Sequence, residues 1–249
     1  MMTRREQTGA LFLPLIDQDR IEPGDCAERA RLLEEAGADA LLVGSSFSLE
    51  DRLEPVILAL REGTSVPVIL FPGSAHGLSG EADAVLFLTL LSGRNPQYLV
   101  EEQVRSAPAV RRLGIEPIPV AYLLIGCGGA RTVHYVSRTE PIPGDRPEIA
   151  MAHALAARYM GMRAVYLEAG SGADAPVPPA LIRSVRDYAG LPVIAGGGIR
   201  APEQAEAARR AGADAVVIGT ALESRFSAER ARAFAEAVHG GRLPVRPEA

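Results

Sequence analysis

Apolar residues in this chain fall into short unbroken runs, separated by longer stretches whose polar and apolar positions follow a helical period. Leu11-Phe12-Leu13-Pro14-Leu15-Ile16 is the first run, followed by a helical stretch from Asp25 to Ala36 that Gly37 stops. Asp39-Ala40-Leu41-Leu42-Val43 is the second, with a helix from Leu49 to Arg61 after it, and Pro67-Val68-Ile69-Leu70-Phe71 is the third. Ala82 to Leu88 forms the fourth strand, Asn95 to Leu113 a long helix, Glu116 to Leu124 the fifth strand and Pro147 to Met160 another helix. Ala164 to Leu167, Leu191 to Ala195 and Ala215 to Ile218 complete the series. Continuous apolar strands are buried on both faces, which points to a parallel sheet covered by helices. Eight such strands in 249 residues predict one α/β domain, a (β/α)8 TIM barrel spanning 1–249. Residues 1–9 and 241–249 read as frayed termini.

One link departs from the pattern. Pro72 to Glu81 carries Pro72, Gly73, Gly77 and Gly80, a poor helix. The third helix is therefore expected to be replaced by a loop, which opens the side of the barrel to a long ligand. The chain also echoes itself. Glu35-Ala36-Gly37-Ala38-Asp39-Ala40-Leu41-Leu42-Val43-Gly44 resembles Arg210-Ala211-Gly212-Ala213-Asp214-Ala215-Val216-Val217-Ile218-Gly219, and Ala82-Asp83-Ala84-Val85 is a weaker copy. Repeated βα units need the same local solution, so the echo supports the barrel rather than a chemistry.

The last three strands each run into glycine: Glu168-Ala169-Gly170-Ser171-Gly172, Gly196-Gly197-Gly198-Ile199 and Gly219-Thr220. Such turns let backbone N–H groups approach an anion, and late barrel strands carry phosphate sites. A phosphorylated small molecule is the first ligand to expect. Glu168 ends an apolar strand where a carboxylate has no packing reason to be, and it can take a proton from a substrate hydroxyl. Tyr166 shares its face. Asp17 and Asp19 follow the first strand at alternate positions, a spacing that suits Mg²⁺ as well as a helix cap. Ser45 and Ser46 occupy the same rim. The segment from Tyr135 to Glu148 reads as a long proline-stiffened loop and a candidate lid, with Arg138 and Arg146 as phosphate contacts and Arg94 as another.

Composition narrows the field. Net charge of −5 argues against nucleic acid as a partner. Two distant cysteines, Cys26 and Cys127, read as reduced thiols of a cytoplasmic protein. All 26 basic residues are arginine, which excludes Schiff-base aldol chemistry through lysine. The four histidines have no metal-ligand spacing.

With these residues in view, the chain resembles the geranylgeranylglyceryl phosphate synthase family, which includes the heptaprenylglyceryl phosphate synthases. The resemblance is carried by Leu15 to Arg20, Leu42 to Ser46, Pro67 to Ser74, Arg94-Asn95-Pro96, Pro141-Ile142-Pro143, Arg146 to Ala150, Gly196 to Arg200 and Ile218-Gly219-Thr220. Tyr166-Leu167-Glu168-Ala169-Gly170-Ser171-Gly172 is the most specific match. The resemblance implies Mg²⁺-dependent transfer of a prenyl group from geranylgeranyl diphosphate, or another polyprenyl diphosphate, to the 3-hydroxyl of sn-glycerol 1-phosphate. It implies Asp17 and Ser46 as metal ligands and Glu168 and Tyr166 as the catalytic pair. Tyr166, Leu167, Glu168, Ala169, Gly170, Ser171, Gly172, Gly197, Gly198, Gly219 and Thr220 would hold the glycerol phosphate. Tyr98 is expected as the floor of the prenyl channel. The resemblance also implies a homo-oligomer, and an amphiphilic substrate suits weak association with a membrane surface. Gln18, Arg20 and Ser45 depart from the family's usual Pro, Lys and Gly. A phosphosugar isomerase or epimerase, and a non-catalytic phosphate-binding barrel, are the alternatives.

Overall fold

The expected runs become strands in a computed structural model, which describes residues 9–45, 47–48, 50, 52–128, 132–224 and 226–240. The elements are β1 (Leu11–Ile16), α1 (Pro23–Ala36), β2 (Leu41–Val43), α2 (Leu53–Gly63), β3 (Val68–Leu70), β4 (Ala84–Leu90), α3 (Glu102–Leu113), β5 (Glu116–Gly126), α4 (Thr132–Ser137), β6 (Ile142–Pro143), α5 (Pro147–Tyr159), β7 (Ala164–Glu168), α6 (Pro179–Ala189), β8 (Val193–Gly196), α7 (Pro202–Arg210), β9 (Ala215–Ile218), α8 (Thr220–Glu223) and α9 (Ala228–His239). Strands pair in the order β4-β3-β2-β1-β9-β8-β7-β5, and β4 pairs with β5 to close the ring. Every pairing in the ring is parallel. This is the (β/α)8 barrel. Of the terminal segments expected to fray, residues 1–8 and 241–249 lie outside the described residues.

Neighbouring residues on a strand face opposite ways, so each strand serves two apolar layers. Leu13, Leu42, Leu86, Leu124, Tyr166 and Val217 fill the barrel. Phe12, Leu41, Leu70, Leu123, Leu167 and Val216 face outward and pack with the helices. Burying both faces is what made the runs continuous.

The third helix is absent, as the glycines and proline of that link foretell: no helix lies between β3 and β4. Glu102 pins the replacement loop to α3 by accepting the Ala75 backbone N–H at 2.6 Å. The echo has a structural cause. Asp39 Oδ2 accepts the Phe12 N–H at 2.8 Å, Asp83 Oδ2 that of Val68 at 2.8 Å, and Asp214 Oδ2 that of Val193 at 2.6 Å. Each aspartate satisfies a backbone N–H in the first two residues of a neighbouring strand. Asp39 also holds His239 Nε2 at 2.8 Å, which ties α9 across the same end of the barrel.

Two elements differ from expectation. The helix expected from Asn95 begins as one wide turn, Gln97–Glu101, in which the Glu102 N–H reaches back to Gln97 O. Such insertions often mark functional sites. The segment expected as a long proline-stiffened loop is partly regular. Its start belongs to α4, and Ile142 and Pro143 extend the sheet by pairing with Ile125 and Gly126 of β5. Ile142 is buried there, and that apolar anchor holds the segment to the barrel.

Candidate active site

Because every barrel strand runs the same way, the turns after the strands share one rim. A cavity of about 930 Å³ opens there. Its polar arm is lined by Ser171, Gly172, Gly197, Gly198, Gly219 and Thr220, from the turns after β7, β8 and β9. Its apolar arm runs along β4 to Tyr98 and to Val133 and Val136 of α4. Both faces of β4 line it, Leu86 and Leu88 from the inner layer and Val85 and Phe87 from the outer. The loop that replaces the third helix contributes Pro72 to Ala75 and Leu78.

Glu168 and Tyr166 also line this cavity. Glu168 is only 5% exposed. Burial pushes its carboxyl up to about 7, although the Gly170 N–H, donated to Oε1 at 2.6 Å, and the nearby Tyr166 phenol favour the charged form. A carboxyl poised there can accept a proton at neutral pH. The Tyr166 hydroxyl adjoins Glu168, yet it completes no hydrogen bond of good geometry. Its ring stacks on Phe71 at 5.4 Å and tilts against Tyr122 at 5.2 Å, which fixes the phenol.

The triple glycine also makes room for neighbouring side chains. A methyl group on Gly196 would overlap the Tyr166 hydroxyl, and one on Gly197 would overlap Glu168 Oε1. Gly197 and Gly198 also sit at φ of +79° and +68°, where a side chain is strained. On the polar arm, the N–H groups of Ser171, Gly172 and Gly198 find no acceptor among the described residues. Glycine there makes room for Tyr166 and Glu168 and leaves backbone N–H groups on the polar arm.

Asp17 lies across the cavity. Its Oδ2 is 3.4 Å from Arg20 Nε and accepts from Ser45 Oγ at 3.4 Å, while its N–H meets Glu223 Oε1 at 3.2 Å. Glu223, which sequence reasoning missed, is pushed up by burial and drawn back by Arg20. Gln18 is buried with its Oε1 unpartnered. Ser46 lies outside the described residues. Among the described residues no group of three or more His, Cys, Asp or Glu could hold a metal, so a cation at Asp17 needs oxygens from elsewhere.

Leu167 and Ala169 face the outer layer and add no side chain to the cavity. Gly170 acts through its N–H on Glu168. The expected phosphate arginines are elsewhere. Arg94 folds back on Gly93 O at 2.7 Å, and neither Arg94, Arg138 nor Arg146 lines the cavity. Arg200 and Arg230 do. Arg200 stood within the triple-glycine motif, whereas Arg230 lies on α9 with no local signal.

Comparison with known proteins agrees with this geometry. Residues 2–238 match the model of the PcrB family. A geranylgeranylglyceryl phosphate synthase of Thermococcus kodakarensis is 49% identical over 232 residues, covering 93% of this chain and 91% of the relative. One from Methanopyrus kandleri is 49% identical over 219 residues, covering 88% and 90%. Among solved structures, the (S)-3-O-geranylgeranylglyceryl phosphate synthase of Thermoplasma acidophilum, in complex with substrate sn-glycerol-1-phosphate, superposes with a TM-score of 0.90 at 38% identity, covering 96% of this chain and 97% of that one.

Proposed function

Since this chain belongs to the PcrB family, we infer that it is a prenyltransferase, joining the geranylgeranyl group of geranylgeranyl diphosphate to the 3-hydroxyl of sn-glycerol 1-phosphate. The products are geranylgeranylglyceryl phosphate, an ether-lipid precursor, and diphosphate. The observation that carries this reading is one cavity lined together by the glycine turns after β7, β8 and β9, by the apolar side chains of β4 and by Glu168. A phosphosugar isomerase has no use for the apolar arm.

In the proposed reaction the glycerol phosphate lies on the turns after β7, β8 and β9. Glu168 accepts the proton of the 3-hydroxyl as that oxygen bonds to C1 of the prenyl group. The C1–O bond breaks at the same centre, and diphosphate leaves with its electron pair. Tyr166, fixed by the aromatic cluster, orients Glu168. The apolar arm keeps water from the electron-poor carbon. Mg²⁺ belongs to the same proposal, held by Asp17 and Ser46. Asp17 fits, because Mg²⁺ is commonly bound by one or two carboxylates with substrate phosphates completing its shell. Asp17 and Ser46 would hold the ion, which would supply positive charge to offset that of the leaving diphosphate.

The test is product analysis by mass spectrometry with sn-glycerol 1-phosphate, Mg²⁺ and prenyl diphosphates of several lengths, beside Glu168→Gln. An ether product that falls sharply in the variant is expected. A folded protein that makes no ether with any donor would sink the reading.

A further inference from the structure

The three glycine turns are tied together by two arginines with no part in the reaction as described so far. Arg200 donates from its guanidinium to the carbonyl oxygens of Ala173 at 2.9 Å and Gly172 at 3.3 Å. Arg230 donates from Nε to Ala221 O at 2.9 Å and from its terminal nitrogen to Arg200 O at 2.8 Å. Gly172 and Ala173 follow β7, Arg200 follows β8 and Ala221 follows β9. The pair therefore strings the three turns in series across the polar arm.

Both arginines are themselves fixed. Gln204 Oε1 accepts the backbone N–H groups of Arg200 at 2.7 Å and Ala201 at 3.1 Å. Ser227 Oγ caps α9 by accepting the Arg230 N–H at 3.1 Å. Both residues line the cavity, and among the described residues no ion pair joins either one to a carboxylate; Arg230 also lies over the Phe234 ring, 5.4 Å from its centroid. A phosphate held on these turns would gain charge-assisted hydrogen bonds from guanidinium N–H groups that the carbonyls leave free.

We propose that Arg200 and Arg230 are positioning residues for the phosphate of the glycerol substrate: they fix the spacing of the three turns and supply the positive charge that the backbone cradle lacks. The identity of the phosphate ester rests on the prenyltransferase reading; the anion site itself does not.

The test is calorimetric titration of wild type, Arg230→Met, Arg230→Lys and Arg200→Met with sn-glycerol 1-phosphate and, separately, with inorganic phosphate, alongside KM for both substrates. Arg230→Met is expected to raise Kd and KM for glycerol phosphate about tenfold or more and to leave KM for the prenyl diphosphate within about twofold. Arg230→Lys restores part of the loss, since it keeps the charge but not the fork. Arg200→Met, at an exposed side chain, gives the same split should Arg230→Met fail to fold. Unchanged phosphate binding in both methionine variants, or a parallel rise in both KM values, overturns the proposal. If wild type makes no ether yet inorganic phosphate binding drops in the variants, the prenyltransferase reading fails and the arginine site stands.

Discussion

Carboxylates are buried at both ends of this barrel, and the two ends treat them in opposite ways. Where the strands begin, Asp39 Oδ2 takes the Phe12 N–H and His239 Nε2, both at 2.8 Å, and Asp214 takes the Val193 N–H. Where the strands end, Glu168 takes one backbone N–H, stands beside a phenol that completes no hydrogen bond, and borders the cavity. A carboxylate consumed by fixed donors is an element of structure. One left short of donors beside an open space is pushed up to about 7 and is ready to exchange a proton.

Glu168→Gln probes that contrast most strongly. It should lower kcat about 10³-fold, roughly 4 kcal/mol of transition-state stabilisation, with no loss of fold. A variant that melts early would show that Glu168 is structural after all. Asp39→Ala should do the reverse. It breaks the buried contact with His239 and strands the Phe12 N–H, costing about 3 to 4 kcal/mol in urea unfolding, while turnover per folded molecule holds.

The pH dependence of stability sharpens the comparison. Below the ordinary carboxylate value of 4.5, Glu168 is protonated in both folded and unfolded chains and costs nothing. Between 4.5 and about 7 the unfolded chain releases this proton first, so stability falls as pH rises. Wild type should therefore lose up to about 3 kcal/mol relative to Glu168→Gln between pH 4 and pH 8. The same group should give kcat/KM a rising limb near pH 7. Equal stability profiles in the two proteins would place the titration elsewhere. The smallest effect is expected at Tyr98, on the apolar arm. Tyr98→Ala should shift product length towards longer prenyl chains with little change in melting temperature; unchanged product length would remove Tyr98 as the floor.

Much of the barrel was legible because its signals are local. A run such as Leu41-Leu42-Val43 is apolar on both sides, and the link after β3 carries too much glycine and proline for a helix. Glu168 was legible for a related reason, a charge ending an apolar strand. What escaped depends on residues that meet only in three dimensions. Glu223 touches the Asp17 turn from the turn after β9, 206 residues along the chain, and Arg230 reaches two turns from the last helix. The triple glycine was read as room for a phosphate, yet Gly196 and Gly197 also make room for Tyr166 and Glu168, a demand set by another strand. The supposed lid is partly tied down because Ile142 finds a buried place beside β5, which its proline neighbours concealed.

The missing helix between β3 and β4 carries a consequence for the tempo of catalysis. It leaves Val85 and Phe87, outward-facing residues that a helix would otherwise cover, on the wall of the cavity. A hydrocarbon tail lying there becomes a borrowed piece of the protein's interior, and each methylene it buries gains about 0.8 kcal/mol. The tail is as apolar after the ether forms as before. What makes a long donor a good guest therefore makes its product a reluctant leaver, and residence time should lengthen with every isoprene unit the site accepts.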